Sequence, residues 1–193
     1  RHWASRNLRV YYEDIKYERI RQTHRADVRA HVSKLAVGKN DVVWFHYTGH
    51  GFRWDDKKTK WPAISLGNSL WDAMEFEEVL SMVHATPARL KIAIADSCNN
   101  LVGEKMPDEQ RHSGARGRAE RLKGFAKIFK DTRGYLHLAG SSPGEYSYAV
   151  DPYGGLATYK FIHRLMNQVE QGNPASLNYT ASQFKNPIRE FGI

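Results

Sequence analysis

Three short apolar runs dominate the chain: residues 41–47 (DVVWFHY), 90–95 (LKIAIA) and 134–139 (GYLHLA). Each ends against glycine, serine, threonine or aspartate. Six or seven mostly apolar residues bounded by turn formers read as a buried strand rather than a helix, which would need ten or more. Between the runs lie stretches with helical spacing. Strands that alternate with helices pair in parallel, because a parallel partner is reached only through a long crossover. The pattern predicts an α/β fold with a mainly parallel sheet.

The connecting segments are less regular. Val28, Val32, Leu35 and Ala36 fall at i, i+4, i+7 and i+8, predicting a helix over 25–37 ended by Gly38. A second helix is expected over 71–84 with Met74, Val79, Met82 and Val83 inward, and a third around Leu122, Phe125, Ala126 and Phe129. A fourth opens at Gly154-Gly155 and runs to about 171, with Leu156, Tyr159, Ile162 and Leu165 or Met166 inward. Leu8, Val10 and Tyr12 alternate as in a short strand. Residues 52–70 and 99–117 read as long loops, 140–153 as loop or hairpin, and the tail after Gly172 as weakly structured.

With 193 residues, 41% of them apolar, the chain is expected to form a single domain over 1–193. No run approaches the roughly 18–20 apolar residues of a membrane helix, so no membrane partner is expected; no charged-then-apolar leader opens the sequence, so nothing indicates secretion. One cysteine forbids an internal disulfide and an all-cysteine metal site, and fits a reducing, cytoplasmic setting. The formal charge of +8 raises nucleic acid as a partner. The basic residues are dispersed, apart from a concentration over 111–130, and no helix-turn-helix, zinc-finger or RNA-binding signature accompanies them. A solvated basic surface without a specific nucleic-acid partner is the expectation.

Chemistry is expected beyond the strand ends. In open parallel sheets, sites form past the carboxyl ends of strands. Tyr47-Thr48-Gly49-His50-Gly51 closes the first run, and Asp96-Ser97-Cys98-Asn99-Asn100, with the only cysteine, closes the second. An imidazole, with an ordinary pKa near ~6.5, can take a thiol proton and return it to a leaving amine. A thiolate is a competent nucleophile without a third triad member. Gly51 permits close backbone approach, so its amide and that of Cys98 are candidate oxyanion donors. His46 and His50 also have the i, i+4 spacing that on a helix could hold zinc. The stretch is strand-like and broken by glycine, with no third ligand evident, so no metal site is expected.

Together these strings resemble the caspase-like cysteine peptidases. HYTGHG and its preceding apolar strand resemble that family's histidine motif. IAIADSCNN resembles the cysteine motif, with the metacaspase-type Asp two residues before the nucleophile. SSPGEYSYA followed by GGLATYKFIHRL resembles the late substrate-binding strand and closing helix, so the likeness runs from about residue 8 to 170 in the family's order. It implies the caspase-hemoglobinase fold, a three-layer α/β/α sandwich around the sheet, and peptide hydrolysis through an acyl-thioester, with no obligatory organic or redox cofactor. His50 would be the general base and acid, Cys98 the nucleophile, and the Gly51 and Cys98 amides the oxyanion hole. Asp96 and Thr48 would line an S1 pocket for arginine or lysine; Ser142, Ser147 and Tyr148, with Ser141, would line the substrate groove. Where animal caspases carry Ser-Trp-Arg to hold a substrate aspartate, this chain has Ser147-Tyr148-Ala149. The implied substrates are polypeptides with a basic P1 residue.

Two departures qualify the likeness. Residues 1–7 (RHWASRN) are too short and polar to be the family's first central strand, which should precede Leu8. The acidic residues after the two strings (Asp55, Asp56, Glu104, Asp108, Glu109) lack calcium-loop spacing, so the sequence does not support calcium activation. Arg and Lys residues crowd the 103–124 loop, a candidate self-cleavage site. The alternative is a non-catalytic or zymogen module working with regulatory domains or partner subunits in a signalling or defence protein.

Overall fold

The structure, a computed structural model, describes residues 20, 24–67, 72–101, 129–150, 154–171, 176–184 and 189–192. Its central sheet has the order β1-β5-β6-β9, formed by β1 (Val42–Thr48), β5 (Leu90–Asp96), β6 (Gly134–Ala139) and β9 (Arg189–Gly192). The first three are parallel and β9 runs antiparallel to β6. A small antiparallel sheet joins β2 (Gly51–Phe52), β3 (Ala63–Ser65) and β4 (Ala73–Glu75). β7 (Ala149–Val150) and β8 (Gly154–Gly155) form a hairpin.

β5 is the centre of the molecule because both its faces are apolar. Leu90, Ile92 and Ile94 point to one side with Leu136 and Leu138, and are covered by Phe161 and Leu165 of α3 (Leu156–Glu170) and by Leu177 and Ala181 of α4 (Leu177–Ser182). Ala93, Ala95 and Ala139 point to the other side. Their small size lets Phe76, Val79 and Val83 of α2 (Phe76–Ala85) approach, with Val28 and Val32 of α1 (Arg25–Ser33) packed outside them. Each large side chain so buried contributes about 1.5–3 kcal/mol relative to exposure. Helices therefore cover both faces of a mainly parallel sheet, giving the α/β fold that the periodicity predicts and the three layers that the resemblance implies. None of the described helices is long and apolar enough to cross a membrane.

Several elements differ from expectation. α1 ends at Ser33, so Leu35 and Ala36 are exposed. The chain then turns at Gly38, whose amide donates to Asp41 Oδ2 (2.7 Å), to enter β1. β1 is only half buried, because among the described residues it has a neighbour on one edge alone. The expected 52–70 loop contains β3, and the expected 71–84 helix begins as β4, so Met74 is buried from a strand. In α3 the buried residues are Ala157, Phe161, Leu165 and Gln168, a different phase from the one that Leu156 and Tyr159 suggest. The tail is ordered by packing: Ser176 caps α4 by accepting from the Tyr179 amide (3.2 Å), and β9 closes the sheet. The Leu8–Tyr12 strand, the helix around Leu122 and the 103–124 loop lie outside the described residues.

Candidate active site

The parallel register sets the site. Thr48 lies opposite Asp96, the last pair of β1 and β5. His50 and Cys98 each follow two residues later, so the two strand exits carry them at the same step past the sheet. The Gly49 amide still donates to the Asp96 carbonyl (3.3 Å), extending the strand pairing one step past the sheet.

The backbone at His50 is held from below. Its carbonyl accepts from the Ser65 amide (2.9 Å) and lies 2.7 Å from the Tyr47 hydroxyl, which is also 2.6 Å from the Ser65 carbonyl. Burial pushes the Tyr47 phenol up to about 12, so it remains a donor throughout the neutral range. A Cβ on Gly49 would sit 2.7 Å from that hydroxyl, so glycine is required here for close approach. Tyr47 is a site residue that sequence inspection misses, because its partner comes from β3. Tyr47→Phe should lower kcat by about threefold to tenfold with KM little changed, the effect of one hydrogen bond of about 1 kcal/mol. Steady-state kinetics on a peptide substrate checks this, and an unchanged kcat counts against the brace.

Gly51 packs directly on the cysteine turn. A Cβ there would lie 2.5 Å from Ser97 Oγ and 2.7 Å from the Cys98 carbonyl oxygen. β2 and the Ser97–Cys98 backbone are thus in contact, which any side chain would separate. Asn99, fully buried, donates from Nδ2 to the Lys60 carbonyl (2.8 Å), and its backbone pairs with Gly144 and Glu145. These contacts fix the turn that carries Cys98. The polar letters of DSCNN signal a turn, but do not reveal these partners.

Cys98 itself is 6% exposed. Its Sγ accepts from the Ser147 amide (3.4 Å) and donates to the Ser147 carbonyl (3.6 Å). Burial, together with the nearby Asp96 charge, pushes the thiol above its usual range against the opposing pull of the Ser147 amide. His50 is exposed, and among the described residues no hydrogen bond joins its ring to Cys98.

Asp96 continues the β5 alternation that puts Leu90, Ile92 and Ile94 on the α3 face. Its carboxylate is therefore delivered to the first turn of α3. It is 3% exposed; Oδ2 accepts from the Thr158 amide (2.7 Å) and Oδ1 from the Ser147 hydroxyl (2.6 Å). Thr158 is the third residue of the helix, so Asp96 satisfies an orphan amide and opposes the positive helix end. A Cβ at Gly155 or Gly140 would come within 2.1 or 2.5 Å of the carboxylate, so both glycines leave room for it. Among the described residues no Lys, Arg or His forms an ion pair with it. His46 lies beside this group with Nε2 3.1 Å from Thr158 Oγ1, and burial pushes it down, in the neutral direction.

The remaining candidates divide. Ser147 joins Asp96 and Cys98. Thr48 is exposed opposite Asp96. Tyr148 is 41% exposed, and its carbonyl receives the Leu156 amide (2.7 Å) across the β7–β8 hairpin. Ser142 belongs to the supporting turn: its amide donates to Glu145 Oε2 (3.0 Å) and its carbonyl accepts from the Glu145 amide (2.9 Å). An open cavity of about 630 Å³, lined in part by Lys60, Trp61, Leu80, His84 and His137, contains neither His50 nor Cys98. Its size does not mark the chemistry.

A search of curated proteins finds no match to the chain. A family model described as the caspase domain matches residues 6–188, spanning both strand exits and the segment that wraps Cys98. By fold and by that match, the chain belongs to the caspase-domain family of cysteine peptidases.

Proposed function

We propose that the chain is an endopeptidase that uses Cys98 and His50 as a dyad and cleaves polypeptides after arginine or lysine, as metacaspase-type members do. The observation that carries the specificity is the Asp96 carboxylate: buried, two residues before the thiol, with only neutral donors among the described residues. A buried carboxylate without a cation is costly. A substrate guanidinium supplies the missing charge with matching two-pronged geometry. Thr48 lies opposite in register, which supports a place for it on the wall of the same pocket.

The chemistry follows from the residues. His50 removes the Sγ proton, and the thiolate attacks the scissile carbonyl carbon. Negative charge moves to the carbonyl oxygen, facing the Gly51 and Cys98 amides. Collapse expels the amine, which takes the proton from His50, and leaves an acyl-thioester on Cys98. Water, deprotonated by His50, then releases the acid and restores the thiol. The protein part of this scheme uses no metal. The setting proposed is cytoplasmic, where a single reduced cysteine persists.

A resting-state variant of this reading is favoured by one observation. The thiol is bonded to Ser147 and not to His50. The geometry supports a closed form of a peptidase whose dyad forms when substrate, a regulatory domain or a partner subunit opens the 145–148 segment.

The test is a panel of fluorogenic peptides ending in Arg, Lys or Asp, with and without calcium, alongside Cys98→Ala. Arg and Lys peptides should exceed Asp peptides by roughly 100-fold or more in kcat/KM, since an acidic P1 would meet a like charge. Faster cleavage after Asp overturns the proposal.

A further inference from the structure

Ser147 divides its polar groups between the two residues that matter most. Its hydroxyl donates to Asp96 Oδ1 (2.6 Å). Its amide donates to Cys98 Sγ (3.4 Å), and its carbonyl accepts from the same sulfur (3.6 Å). Neighbouring positions are anchored independently: Glu145 to the Asn99 amide (3.0 Å) and Tyr148 to the Leu156 amide (2.7 Å). A side chain on Gly140 would collide with Ser147 Oγ at 2.7 Å, so the glycine makes room for this clasp.

We propose that Ser147 is a positioning residue that couples occupancy of the Asp96 pocket by a P1 cation to release of the Cys98 thiol. This rests on the reading of Asp96 as the S1 carboxylate. The carboxylate is 3% exposed and each of its oxygens already accepts a hydrogen bond, so a two-pronged guanidinium competes with those donors for it. Of the two donors, Thr158 N–H is fixed in a helix, whereas Ser147 is held in an irregular strand approach. A charge-assisted pair outcompetes a neutral hydroxyl bond, so Ser147 is the donor that yields. Its amide and carbonyl are part of the same residue. When the hydroxyl leaves Asp96, the backbone shifts off Sγ, and the thiol becomes open to His50 and to the scissile carbonyl. A substrate of the wrong charge does not open the clasp, so selection acts on the nucleophile as well as on binding.

The experiment uses agmatine, a guanidinium probe with no scissile bond, and iodoacetamide, a small neutral thiol reagent. Cys98 is the only cysteine, so intact mass reports its alkylation directly. Saturating agmatine should accelerate alkylation of the wild-type chain by about fivefold or more, as the closed population is drained. Ser147→Ala should raise the ligand-free rate and abolish the acceleration, and Ser147→Thr, which keeps a hydroxyl, should restore ligand dependence. A purely structural role for Ser147 would not change the response to ligand. Agmatine that inhibits Arg-peptide hydrolysis competitively, yet leaves alkylation unchanged or slows it, overturns the coupling and leaves the basic S1 reading intact. Agmatine that neither competes nor alters alkylation, with no Arg-peptide turnover, overturns both.

Discussion

Cys98→Ala is expected to reduce peptide hydrolysis by about 10⁴-fold or more, to background, with the melting transition close to that of the wild type. The side chain is small, and its only described polar partner is the Ser147 backbone, so the fold depends little on it. His50→Ala should cost about 10²–10⁴-fold, the range for losing a general acid–base group. The two variants differ in their pH response. In His50→Ala the nucleophile must ionise without help, and burial holds its thiol above the usual range. The thiolate fraction below that pKa grows tenfold per pH unit, so residual activity should climb through the alkaline range. With His50 present, the imidazole takes the thiol proton, so activity should not depend on alkaline pH in this way. Substantial neutral activity in His50→Ala would sink the dyad.

The second large effect concerns Asp96→Asn. Removing the charge while keeping the volume should lower kcat/KM for Arg and Lys peptides by roughly 30- to 5,000-fold, corresponding to about 2–5 kcal/mol for a desolvated charge pair. The same carboxylate opposes the positive end of α3 through Thr158, so the melting temperature should also fall, by an amount matching about 0.3–2 kcal/mol. The two losses are separable. A lower melting temperature with unchanged kinetics on Arg peptides would leave Asp96 as a helix ligand and remove it from the pocket.

Much of this arrangement is legible in the sequence, for a physical reason in each case. β5 and β6 are legible because consecutive apolar residues are buried on both faces, which only a central strand requires. The placement of His50 and Cys98 at the same step past the sheet is legible because parallel strands end together. The phase of α3 is not, since Tyr159 and Ile162 are as apolar as the residues that turn inward. The Thr158–Asp96 bond at its first turn fixes which face meets the sheet. α4 is missed where the tail reads as weakly structured, because its signal, Ser176 followed by Leu177, Ala181 and Phe184 at i, i+4 and i+7, is short and set among polar residues. The partners of Asp96, and the brace from Tyr47 to His50, arise from contacts between distant segments. No local pattern encodes them.

The matched register of Thr48 with Asp96 has an engineering consequence. The spacing of the two backbones that carry imidazole and thiol is set by the width of one strand pair, about 4.8 Å, and not by the chain that links them. The exposed stretch 55–58 can therefore be cut without parting the pair. Two fragments, one bearing His50 and one bearing Cys98, would be reunited by seven paired residues and a shared core, making the site divisible into a complementation reporter.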